Sequence, residues 1–132
     1  MPQIATHPIH LGLGATAVVE PPFDGGMDWF AAYGARHAGD GAEGRLVMQY
    51  SFSESWAGWE MHPNGAEMVL CVAGRVTLIQ RMGDGAEQRV TLGAGDYAIN
   101  EAGVWHTADV DPGVEATCLF ITAGMGTEHR PR

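Results

Sequence analysis

Lysine is missing from this 132-residue chain; its seven basic residues are all arginine, set against 16 acidic ones. The net charge of −9, with no arginine cluster, argues against a nucleic-acid-binding surface or a face for anionic membranes. Cysteine is scarce too. Cys71 and Cys118 form neither a disulfide framework nor a close-spaced metal pair, which fits a reducing compartment. No apolar run approaches the length of a membrane span. The stretch Met1-Pro2-Gln3-Ile4-Ala5-Thr6-His7 lacks a basic region followed by an apolar one, so it does not read as a secretory signal. The expectation is a cytoplasmic protein with neither nucleic-acid nor membrane partners. Long helical patterns are also lacking, whereas the 19 glycines point to many turns.

The length fits one domain, residues 1–132, able to bury a substantial core. Residues 1–43 read as short extended pieces followed by one helix, Met27 to His37, with Trp29, Phe30 and Tyr33 on a docking stripe. Asp28 is placed to cap that helix and Gly39 lies just beyond its end. His37 suits the negative end of the helix dipole. Gly12-Leu13-Gly14-Ala15-Thr16-Ala17 loosely echoes a dinucleotide loop, but no crossover helix follows, so it reads as a glycine-bearing loop. From 44 to 123 the text changes to strands: 45–53, 59–62, 67–73, 75–82, 88–92, 97–100, 104–110 and 115–122, punctuated by glycine turns. This spacing means an all-β sandwich or barrel. The polar tail, 124–132, reads as irregular, the alternative being that His129-Arg130 folds over the barrel mouth or a partner subunit.

Candidate chemistry concentrates in Trp59-Glu60-Met61-His62-Pro63-Asn64-Gly65-Ala66-Glu67. On a strand, Glu60 and His62 share a face. Asn64-Gly65 predicts a two-residue type I′ hairpin that sets His62 opposite Glu67, with Cβ atoms about 4.5–5.5 Å apart. Three ligand-type side chains thereby converge, and His106 on the strand 104–110 is the fourth candidate. The plain alternative for His62 and Glu67 is a cross-strand pair on a solvated face; for Glu60 it is a carboxylate that orients His62 or a water without touching metal. Trp59, Met61 and Trp105 face away from the candidates and read as packing residues, with Trp59 or Trp29 available to a subunit contact.

Two stretches resemble the paired motifs of the cupin superfamily. Glu60-x-His62, four residues, Glu67, six residues and Gly74 follow the first motif, with Glu60 where histidine is usual. Gly95, Gly103 and His106 fall in step with the second, although Glu101 replaces its proline and Val110 its asparagine. The resemblance covers roughly 44–123. It implies a cupin-type jelly-roll β-barrel with one short N-terminal helix, and a metal on Glu60, His62, Glu67 and His106. Two carboxylates and two imidazoles would make a neutral site for a divalent transition metal: Fe, Mn, Ni, Co or Zn. If Glu60 stands outside the ligand set, the remainder is a facial triad like that of non-haem iron oxygenases, with Glu60 as general base.

The functional expectation is therefore a metal-dependent, dioxygenase-like enzyme acting on a small molecule. The alternatives are a cupin isomerase or decarboxylase, or a non-catalytic module that binds metal or a small ligand. A homodimer, the commonest closed assembly, is expected.

Overall fold

The residues from 44 onward do form strands, and β-rich segments appear at both ends of the chain as well. The computed structural model describes Met1–Arg132. In chain order it contains β1 (Ile9–Gly12), β2 (Thr16–Val19), α1 (Met27–Arg36), β3 (Arg45–Phe52), β4 (Gly58–Met61), β5 (Glu67–Ala73), β6 (Arg75–Arg81), β7 (Glu87–Gly93), β8 (Tyr97–Asn100), β9 (Trp105–Asp109), β10 (Ala116–Thr122) and β11 (Glu128–Pro131). One antiparallel sheet runs β2-β1-β3-β10-β5-β8 and the other β11-β4-β9-β6-β7. From β3 to β10 the chain changes sheet at every step except the β6–β7 hairpin. That alternation makes a jelly-roll barrel.

Inward-facing positions of both sheets supply the core, with Val69, Cys71, Val76, Leu78, Ala108 and Phe120 buried between them. Burying such a set is the main favourable term in folding. Helix α1 lays its stripe against the barrel: Trp29 packs with Leu46 and Met48 of β3, and its indole N–H donates to the carbonyl of Pro21 at 3.2 Å.

Four expectations need correcting. The Asn64-Gly65 turn is not a hairpin, because β4 and β5 lie in different sheets. Neither residue has the positive φ that a type I′ turn requires. Gly65 is instead a point of close approach, where a Cβ would stand 2.5 Å from that of Ala123. Asp28 is not the helix cap; Gly26 holds that position, its N–H donating to the Asp24 carboxylate at 2.8 Å, and Asp28 lies in the first turn. The helix ends at Arg36 with His37 as its C-cap, and Gly39 does lie just beyond it, in the following 3₁₀ turn.

The tail is not irregular either. Composition alone hides β11, because what orders it is the free edge of β4. Arg130 stacks over Trp105 at 3.9 Å, and Arg132 donates to Asp109 at 2.6 Å. Finally, Trp29 and Trp59 are each only 7% exposed, so both are already covered within one chain and offer little to a subunit contact. The guanidinium of Arg81 lies over Trp59 at 4.3 Å.

Candidate metal centre

The site is built from two facing rungs of the barrel. In the first sheet, His10, Leu46, Thr122, Glu67 and Asn100 are successive register partners across β1, β3, β10, β5 and β8. In the second, His129, Glu60, His106 and Gln80 are partners across β11, β4, β9 and β6. Directly opposed residues share a face, so each rung presents its polar side chains together. Gln80 ties the rungs across the interior, donating to Asn100 Oδ1 and to the Ile99 carbonyl, both at 2.8 Å.

Glu60, His62, Glu67 and His106 are thus brought together, with potential ligand atoms all within 4.8 Å of one another. The convergence expected from local hairpin geometry is real, but it comes from the meeting of two sheets. Glu67 Oε2 lies 3.2 Å from His62 Nε2, and Glu67 Oε1 lies 3.3 Å from His106 Nε2. Glu60 stands further back, with Oε2 3.9 Å from His62 Nε2 and 3.8 Å from His106 Nε2. Its side chain is 29% exposed against 4% for Glu67.

The histidine tautomers follow from the other ring nitrogens. His106 Nδ1 lies 3.1 Å from the Val104 carbonyl, which can only accept, so Nδ1 carries the proton. Thr127 gives its hydroxyl proton to the Gly124 carbonyl at 2.9 Å and therefore accepts from His62 Nδ1 at 2.8 Å. Both Nε2 atoms are left facing the carboxylates, buried and without a hydrogen-bond partner. Two buried imidazole Nε2 atoms beside a carboxylate, once deprotonated, are the donor set that a divalent metal takes up, and groups fixing the far ring nitrogen are its usual support.

Glu67 is equally prepared. Asn100 Nδ2 donates to Oε1 at 3.1 Å, and the Thr122 hydroxyl donates to Oε2 at 2.6 Å. Burial pushes the Glu67 carboxyl upward, but the His106 and His62 imidazoles outweigh it and hold the group well below the usual carboxylate range. Burial likewise presses His106 downward, yet the Glu60 and Glu67 carboxylates prevail and push it up to about 9. A proton on His106 would therefore compete near neutrality with any metal for Nε2.

Residues that the motifs do not flag complete the surroundings. His129 Nε2 lies 3.2 Å from Glu60 Oε1, so the tail takes part in the site. Asn100, Thr122 and Gln80 carry no motif signal and are revealed by their register positions, and Thr127, in the turn before β11, by its hydrogen bond with His62. Above the cluster opens a cavity of about 640 Å³ whose walls include Leu46, Met48, Tyr50 and Phe120.

Fold and site together define a small β-barrel with a candidate divalent-metal centre at its mouth. The cupin domain family model matches residues 46–123, more than half of the chain, and the protein belongs to that family. No curated protein matches the chain in sequence. Among solved structures, an oxalate oxidase in complex with the substrate analogue glycolate superposes with a TM-score of 0.56 at 13% identity, over 64% of this chain and 45% of that one. An oxalate decarboxylase of Bacillus subtilis, studied for its Mn(II) centres, gives a TM-score of 0.56 at 13% identity over 74% and 26%. The chain spans less than half the length of either, and at this identity the likeness is one of fold.

Proposed function

We propose that this cupin is a divalent-metal-dependent enzyme, dioxygenase-like in its donor set, acting on a small molecule. His62, Glu67 and His106 are the ligands. Glu60 is either a fourth ligand or the general base. The observation that carries the reading is the pair of buried, unpartnered Nε2 atoms aimed at Glu67. Two histidines and one carboxylate are the donor set of a facial triad and would hold the metal, with Glu60 set back from both imidazoles. Fe, Mn, Ni, Co and Zn all suit these donors.

When bound, such a metal supplies Lewis acidity toward a substrate oxygen, and iron also dioxygen chemistry. The chain's own residues do the rest. Asn100 and Thr122 fix Glu67, Thr127 and the Val104 carbonyl fix the imidazoles, and the apolar cavity wall excludes water around a bound substrate. Glu60, partly open to solvent and held by His129, is placed to take a substrate proton.

The remaining proposals are coarser. Residues 1–132 act as one unit, with α1 and the tail both lining the barrel mouth. The unbonded cysteines, Cys71 and Cys118, support a reducing compartment such as the cytoplasm. No helix is long and apolar enough to cross a membrane. The uncharged, exposed edge strand β2 supports a homodimer.

The test is metal analysis of the purified protein, then titration of wild type and His106→Ala with divalent metals. About one ion per chain is expected for wild type, with strongly reduced affinity in the variant. Failure of both proteins to take up metal overturns the reading. Anaerobic reconstitution with Fe²⁺ and oxygen uptake against diketones and phenols then separates an oxygenase from a binding module or a cupin isomerase or decarboxylase.

A further inference from the structure

The cavity has a second polar wall, and residues outside the family-matched segment 46–123 build it. His10 of β1 is 2% exposed and has both ring nitrogens engaged. Nε2 lies 2.6 Å from Asp40 Oδ2, and Nδ1 lies 2.6 Å from the Tyr33 hydroxyl oxygen. An ionised carboxylate only accepts, so His10 Nε2 donates to Asp40, and that tautomer leaves Nδ1 to accept from the Tyr33 O–H. Burial, then the charges of Glu20 and Asp40, hold the Tyr33 phenol above its ordinary value, so it keeps that proton. Tyr33 lines the cavity, and with its hydrogen committed to His10 its oxygen is left as an acceptor.

The surroundings are fitted to this chain of groups. A Cβ on Gly12 would collide with Asp40 Oδ2, and one on Gly44 would stand 2.9 Å from His10 Cε1. The glycine that made Gly12-Leu13-Gly14 look like a dinucleotide loop thus leaves room for the His10–Asp40 pair. His37 stacks on His10 with ring centroids 3.6 Å apart and lies 3.0 Å from Glu20, which also receives Arg36 at 3.0 Å.

Register gives the distance to the metal centre. His10 and Glu67 stand on one rung, separated by Leu46 and Thr122, which is three strand spacings or about 14 Å between Cα atoms. On the next inward rung Met48 faces Phe120, so the space between the two polar ends is lined largely by apolar groups. A cavity of about 640 Å³ lies in the size range that holds a drug-sized ligand. A two-carbon acid such as glycolate would leave most of it unfilled.

We propose that Asp40–His10–Tyr33 is a second substrate anchor, and that the substrate is an elongated molecule with oxygen donors at one end, an apolar middle and a hydroxyl or amino group at the other. This rests on the metal reading of Glu60, His62, Glu67 and His106. The far group donates to the Tyr33 oxygen. A carboxylate there is disfavoured by Asp40 and Glu20.

The test uses the full chain loaded with Zn²⁺ and hydroxamates that chelate the metal through one end. Their alkyl chains are of graded length and end in hydroxyl, methyl or carboxylate, with affinity read by calorimetry. In wild type, at the fitting length, the hydroxyl-ended ligand is expected to bind about three- to tenfold tighter than the methyl-ended one, and the carboxylate-ended one weakest. Tyr33→Phe is expected to erase the hydroxyl preference with Zn²⁺ uptake unchanged, and Gly12→Ala, which forces Asp40 aside, to reduce it. Zn²⁺ uptake with no hydroxyl preference in wild type, or a preference that survives Tyr33→Phe, overturns the second anchor alone. No Zn²⁺ uptake by wild type overturns the metal reading and this inference with it.

Discussion

His62 and Glu67 flank a sheet-to-sheet corner, and the Nε2 of one lies 3.2 Å from Oε2 of the other although no ladder pairs their strands. The contact depends on the corner at Asn64-Gly65 and on groups from β8 and β10, which hold Glu67 in place. As the negative donor beside two imidazoles, Glu67 is expected to dominate metal affinity. Glu67→Gln keeps the shape and removes the charge. We expect divalent-metal affinity to fall by more than about 100-fold, beyond the loss usual for an outer partner. Chelator competition measures it, and a change of only a few fold would remove Glu67 from the ligand set.

Asn100 and Thr122 each donate to one oxygen of Glu67. Without them the carboxylate is free to rotate away from the imidazoles. Asn100→Ala and Thr122→Val are expected to weaken metal binding by roughly 10–100-fold each, while circular dichroism shows the barrel intact. Because both act on one carboxylate, the double variant is expected to fall short of the sum of the single effects. Full additivity in the double-mutant cycle would argue that the two residues act separately.

The barrel was legible because its strands are short, separated by glycine turns and written in β-forming residues, and because the spacing of Glu60, His62, Glu67 and His106 follows a known frame. What was not legible depends on non-local pairing. Asn-Gly reads as a hairpin from local turn chemistry, yet here Gly65 is needed for close approach to Ala123. β11 has no alternating apolar pattern and is ordered by the edge of β4, so the place of His129 beside Glu60 could not be read from the tail itself. His10, Tyr33 and Asp40 are far apart in sequence and form one chain of hydrogen bonds only when α1 caps the barrel.

Proton linkage gives the metal-free protein a defined pH profile. His106 is raised from 6.5 to about 9 by the neighbouring carboxylates, against the effect of burial. Its contribution to stability is therefore complete below pH 6.5 and lost as pH rises through about 9. Glu67 is depressed below 4.5, so its contribution is complete above that pH and is lost on acidification. The chelator-treated protein is expected to be most resistant to heat between about pH 5 and 6.5. Metal affinity should instead strengthen as pH rises toward 9, because the proton on His106 competes with the metal. Thermal melts across pH, with and without Zn²⁺, check both signs. A metal-free protein that gains stability between pH 7 and 9 would contradict the assignment.

β2 ends its sheet with four exposed residues, Thr16-Ala17-Val18-Val19, and no charge to discourage pairing. If two chains join there, sedimentation of wild type at micromolar concentration should show a dimer. Val18→Lys, placing a charge on that edge, should shift it to monomer without loss of metal binding. A wild-type monomer under those conditions would sink the dimer.

Glu60 decides which chemistry the site performs. It faces both imidazoles from 3.8–3.9 Å, is partly open to solvent and is drawn toward His129, whereas Glu67 is buried and held by two donors. This arrangement fits a proton acceptor better than a fixed ligand. On that basis Glu60→Gln should leave Zn²⁺ affinity within a few fold of wild type and, with a substrate in hand, depress kcat far more than KM. General-base catalysis typically contributes about 10²–10⁴-fold, so the loss should fall in that range. His129→Ala should shift the pH profile of kcat while leaving metal content unchanged, because it alters the partner of the base and no ligand. A fall in Zn²⁺ affinity for Glu60→Gln as large as that for Glu67→Gln would instead make Glu60 the fourth ligand and the site a neutral cage.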